Sequence, residues 1–112
     1  MKYSHKIINN AEGDFKRLKL PEEISTVEYL LHDMEAFRSP IFLESIERVL
    51  QGESDFESTG GNICSLEIGR DVAKVTNHFV SEDMLEECII ETEELKKIIE
   101  LWIEINKSLL QN

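Results

Sequence analysis

Two cysteines, Cys64 and Cys88, and three histidines, His5, His32 and His78, are the side chains in this sequence that could support nucleophilic chemistry. A thiol nucleophile needs a base within hydrogen-bond reach and a third group to orient that base. Cys64 alternates in phase with Leu66 and Ile68, whereas His78 alternates against Val75 and Phe79. A pleated strand pair therefore sends this thiol and this imidazole to opposite faces. His32 lies beside Leu31 at the edge of a helical apolar stripe, the ordinary place for a boundary histidine. The expectation is a non-enzymatic protein whose two thiols are buried and reduced.

Metal and phosphate chemistry fare no better. The sequence has no HExxH, no CxxC and no calcium loop of alternating oxygen ligands. The acidic pairs Glu82-Asp83 and Glu86-Glu87 read as solvated surface. Gly60-Gly61 is followed by neither a helix N-terminus nor a Lys-Ser/Thr pair, so it is not expected to cradle a phosphate. No cofactor and no metal are expected.

Charge is the strong signal. Twenty-three acids face twelve bases over 112 residues, a net charge of −11. The first twenty residues carry five bases against two acids, and the other ninety-two carry seven against twenty-one. Such an excess repels nucleic acid and anionic membrane and favours cationic partners. The apolar run after Lys6 is only Ile7-Ile8, and no stretch approaches the roughly 20 apolar residues of a membrane span. The expectation is a cytoplasmic protein, with residues 1–112 forming a single domain.

The elements that must position these side chains follow from periodicity. Tyr3 to Asn9 suggests a first strand, and Asn10 to Pro21 a connection. Ser25 and Glu28 have the spacing of a capping box ahead of a helical stripe of Val27, Leu30, Leu31, Met34 and Phe37. Ser39-Pro40 opens a second helix with Phe42, Leu43, Ile46, Val49 and Leu50 inward, and Gly52 ends it.

From Glu53 the period becomes two. Asp55 to Glu57 alternates, Ser58 to Asn62 supplies turn residues, and Cys64, Leu66 and Ile68 face inward. Gly69 to Asp71 turns the chain before Ala73, Val75 and Phe79. Leu85 to Glu91 reads as a further strand with Cys88 and Ile90 inward, although Ser81 to Glu87 also fits a helical turn. Thr92 caps a last helix with Leu95, Ile98, Ile99, Trp102, Ile105 and Leu109 along one stripe, Trp102 in the core. That stripe is wide enough to meet a second element besides the sheet. The fold expected is α+β: an antiparallel meander of about four strands, two tandem N-terminal helices and one C-terminal helix.

Part of the acid excess cancels within helices, through Glu44 with Arg48, Glu93 with Lys97, Lys96 with Glu100 and Glu104 with Lys107. The remainder concentrates elsewhere. Asp55, Glu57 and Glu67 fall on the outward side of the expected strands, and Glu82, Asp83, Glu86 and Glu87 crowd the entry to the next. If helices cover one face of the sheet only, these seven form a single negative, partner-binding surface, interrupted by Lys74 and His78.

Gly60-Gly61-Asn62 leading into Leu66-Glu67-Ile68, the hairpin through Asp71 and the closing helix from Thr92 to Trp102 resemble small acidic immunity proteins encoded beside contact-dependent or polymorphic bacterial toxins. The likeness spans about residues 60–105 in size, acidity and element order. It implies a stoichiometric inhibitor that binds a cognate toxin, often a basic nuclease, and covers its active site. It assigns no binding residue. The alternative is a small adaptor or regulatory module without a toxin partner.

Overall fold

Val27, Leu30, Leu31 and Met34 are all buried, as their helical spacing requires, in the first long helix, α1 (Thr26–Phe37). The computed structural model describes residues 1–9 and 14–110. Two details of α1 depart from expectation. A 3-10 turn, Glu22–Ile24, runs straight into the helix, so Ser25 already has helical φ/ψ of −61°/−24° and makes no side-chain capping bond. A capping side chain needs an extended backbone at that position. Glu28 instead accepts the backbone N–H of Leu20 at 2.9 Å and lies 3.7 Å from Lys19 Nζ. Phe37 is exposed rather than core, because the chain leaves the helix at Arg38 in the left-handed region, φ 54°.

The second helix, α2 (Leu43–Leu50), begins later than Ser39-Pro40 suggested. Ile41 donates to Ser39 O and Leu43 to Pro40 O, so that dipeptide forms a turn. Phe42, Ile46 and Val49 are buried as expected, and Gly52, at φ +82°, takes the chain out.

Four strands follow: β3 (Phe56–Gly60), β4 (Cys64–Gly69), β5 (Val72–Asn77) and β6 (Glu87–Glu91), hydrogen-bonded in sequence order and all antiparallel. Ser58, Thr59 and Gly60, read as turn residues, are the second half of β3. Cys64, Leu66, Ile68, Ala73, Val75, Cys88 and Ile90 point into the core. Phe79 does not. The strand ends at Asn77, which takes the last inward place, and Phe79 lies beyond it in solvent. Residues 81–86 are neither strand nor helix, holding a turn in which Met84 N–H donates to Ser81 O.

The last helix, α3 (Thr92–Asn106), crosses the inward face with Leu95, Ile98, Ile99 and Trp102 fully buried. Thr92 is its first residue and not its cap. Its hydroxyl donates to Gly69 O at 2.7 Å and its N–H to Asp71 O, tying the helix to the β4–β5 turn. All three helices pack on one side of the four-stranded sheet.

The wide stripe of α3 does meet a further element. The segment read as a connection contains a strand, β2 (Lys16–Lys19), paired antiparallel with β1 (Lys6–Asn9), and residues 10–13 of that connection lie outside the described residues. Asn106 anchors β2 as a neighbouring strand would. Its side chain accepts from Lys16 N–H at 2.7 Å and donates to Lys16 O at 3.0 Å. Phe15 stacks on Trp102 with ring centroids 5.6 Å apart and planes within 4°. The hairpin thus packs on α1 and α3 through β2.

Candidate partner-binding face

Strand alternation assigns the expected acids to their faces. Ser58, Glu67, Lys74 and Ile89 form one row across the outward face, and Gly60, Ser65, Thr76 and Glu87 form the next. Lys74 Nζ lies 3.2 Å from Glu67 and 4.0 Å from Glu87, so one cation sits between two carboxylates. Its hydrogen bond to Glu67 holds the ammonium above its ordinary pKa. Asp55, fully exposed just before β3, lies 3.4 Å from the Arg70 guanidinium.

Glu57 is not outward. It pairs in register with Ile68 and shares that residue's helix-covered side, because Phe56 and Ser58 take the outward places of β3. Arg48 of α2 reaches it at 2.9 Å, and Ser54 also donates to it, lowering its pKa. Glu57 fastens α2 to the edge of the sheet.

Glu82, Asp83 and Glu86 are exposed on the β5–β6 connection, and among the described residues no base forms an ion pair with them. The structure therefore puts Glu67 and Glu87 on the outward face of the sheet and Glu82, Asp83 and Glu86 on the connection at its end, where Asp83 lines a cleft with Lys19, Glu28 and Tyr29; it leaves Asp55 at the far end of β3 and turns Glu57 to the covered side. Two helical pairs expected from spacing are also exchanged for others. Lys97 pairs with Glu94, and Lys96 reaches across to Glu47 of α2, while Glu44–Arg48 and Glu104–Lys107 form.

The same face carries apolar side chains. Ile89 is 57% exposed, and Val72 and Phe56 lie in the adjacent row on either side of Gly69; Phe79, two residues beyond the end of β5, is 71% exposed. Spacing did not single these residues out for binding. Their strand positions looked like ordinary pleat, and Phe79 was read as core.

The thiols and imidazoles lie apart. Cys64 is buried, and desolvation with the nearby Asp33 charge pushes its pKa up to about 12. Burial also raises that of Cys88. His78 is outside, with Nε2 3.0 Å from Ser65 Oγ. His32 is partly covered beside Tyr29, and burial, then Arg17, lowers its pKa.

One buried polar group escaped the sequence reading. Asp33, fully buried on α1, accepts backbone N–H groups from Asn62, Ile63 and Cys64 at 2.9–3.1 Å. The Gly61 turn does bind an anion, but the anion is the protein's own carboxylate. Asp33 interrupts an apolar run and Gly60-Gly61 marks a close approach to backbone, yet neither signal names the other.

Among the described residues, no helix is long and apolar enough to cross a membrane. No family model matches the chain, and no solved structure matches it. A curated protein does. An immunity protein of Bacillus cereus is 35% identical over 101 residues, which cover 89% of this chain and 83% of the relative. The chain belongs to the family of that immunity protein.

Proposed function

We propose that this chain is a non-catalytic immunity protein that binds a cognate toxin in the cytoplasm and neutralises it. The observation that carries the reading is the identity to an immunity protein over nearly the whole chain. We extend it to a basic toxin, with a nuclease as the favoured activity, in a contact-dependent or polymorphic toxin system. The support for that extension is the net charge of −11, with Glu67 and Glu87 on the outward face of the sheet and Glu82, Asp83 and Glu86 exposed on the connection at its end. An acidic surface of this kind attracts a cationic active-site cleft over long range and competes with the phosphates that the cleft is built to hold. Binding alone is enough for such inhibition, so none of the cysteines or histidines is assigned a catalytic part.

The test is co-expression of the toxin domain encoded beside this chain's gene. Cells making the domain should stop growing, and cells making both proteins should grow. Continued arrest in the presence of folded, abundant immunity protein would remove the reading.

A further inference from the structure

We infer that the toxin docks across the end of the sheet where the β5–β6 connection begins, with Phe79 and Ile89 as apolar anchors and Glu82, Asp83 and Glu86 as a steering rim. This surface rests on the immunity reading above and makes it specific.

Exposure alone does not single out this patch. Val72 and Ile89 have a local reason to be where they are, since β-branched residues suit a pleated strand even when one face is wet. Phe79 has no such reason. It lies outside the strand and is 71% exposed. A phenyl ring so exposed buries little apolar surface on folding.

The segment that carries it is nevertheless pinned. Phe79 N–H donates to the buried Asn77 side chain at 2.9 Å, and His78 N–H to Ile63 O at 2.9 Å. Asn77 N–H donates to Glu86 O at 2.7 Å, and Thr26 Oγ1 reaches Leu85 O at 3.4 Å. A backbone already pinned leaves less conformational freedom to lose on binding, which favours the residue it carries as a contact at the centre of an interface.

Charge selects the occupant. The acids on the connection that carries Phe79 have no ion-pair partner among the described residues, whereas Glu67 and Glu87 share Lys74 and Glu57 is taken by Arg48. A second copy of this chain would bring like charges together at that rim. A basic protein surface would meet complementary charge around an apolar centre, the usual anatomy of a specific interface.

The experiment is kinetic binding of the purified, catalytically disabled toxin domain encoded beside this chain's gene. Phe79→Ser and Ile89→Thr, the second keeping the β-branch that suits a strand, change exposed side chains and should leave the melting midpoint unmoved. Each should weaken binding by about tenfold or more, mainly through faster dissociation. The triple change Glu82→Gln, Asp83→Asn and Glu86→Gln should slow association by about tenfold at low salt. The matched triple on α3, Glu93→Gln, Glu100→Gln and Glu104→Gln, removes the same charge and should stay within about twofold of the unaltered protein.

Unaltered protein that fails to bind the domain would sink the immunity reading itself. Tight binding that Phe79→Ser, Ile89→Thr and the connection triple all leave intact would overturn this surface alone. So would self-association that depends on Phe79 while toxin binding does not.

Discussion

A Cβ built on Gly61 would lie 2.6 Å from Oδ2 of Asp33, closer than two such atoms can approach. The carboxylate occupies the space that any other residue at position 61 would need, and the same oxygen accepts the N–H groups of Ile63 and Cys64. Helix α1 and the β3–β4 turn are thereby locked to each other.

Gly61→Ala should therefore destabilise the domain by about 1–3 kcal/mol, the range for forced overpacking. Asp33→Asn should cost about 1–3 kcal/mol by turning an amide donor toward backbone donors. Because both changes break one arrangement, the double variant should be less destabilised than the two single effects added together. Chemical denaturation of the three variants checks this, and simple additivity would mean the two sites act independently.

Core packing and capping give opposite expectations for two substitutions. Trp102→Ala empties the centre of α3 and the stacking partner of Phe15, and should cost about 3–5 kcal/mol. Ser25→Ala should stay within about 0.5 kcal/mol, since Ser25 makes no capping bond. A loss of about 1 kcal/mol at Ser25, the usual worth of an N-cap, would show that the hydroxyl caps the helix in solution.

Glu91 ties the N-terminus to the start of α3. It accepts from the Lys2 ammonium and from Tyr3 Oη at 2.6 Å, bonds that lower its pKa to about 2. A carboxyl lowered on folding contributes stability above its unfolded pKa and loses it as pH falls through the folded value. The contribution should be complete at neutral pH and decline between pH 4.5 and about 2. Glu91→Gln should lower the melting midpoint at pH 7, and the gap to the unaltered protein should close toward pH 2. A gap that stays constant with pH would assign the effect to something other than this titration.

Cys64 and Cys88 should both remain reduced in protein from cytosol and react with thiol reagents only as fast as the fold opens, since burial disfavours both thiolates. Rapid labelling of Cys64 that His78→Ala abolishes would contradict the placement of these side chains on opposite faces.

How much of this was legible in the sequence depended on the range of the interaction. The α1 and α2 stripes, the inward positions of β4 and the buried Trp102 follow from local periodicity, and the meander follows from turn residues between alternating runs. What was missed depends on partners distant in sequence. β2 is held by Asn106, ninety residues away, and its apolar residues Phe15, Leu18 and Leu20 follow no single period. Ser25 failed as a cap because the preceding turn was already helical. Glu57 was placed on the wrong face because β3 carries Phe56 outward, against the usual preference for burying the aromatic. The acidic surface was visible as composition, but its division into paired and unpaired carboxylates required the positions of Lys74, Arg70 and Arg48. The apolar anchors Phe79 and Ile89 could not be separated from core residues by type alone.

Titration of the toxin domain with this protein, following the domain's nuclease activity, tests the central claim most directly. Activity should fall linearly and vanish at one equivalent, and at low protein concentration the inhibition should weaken as salt is raised. Full activity in the presence of a large excess of folded protein would contradict the account.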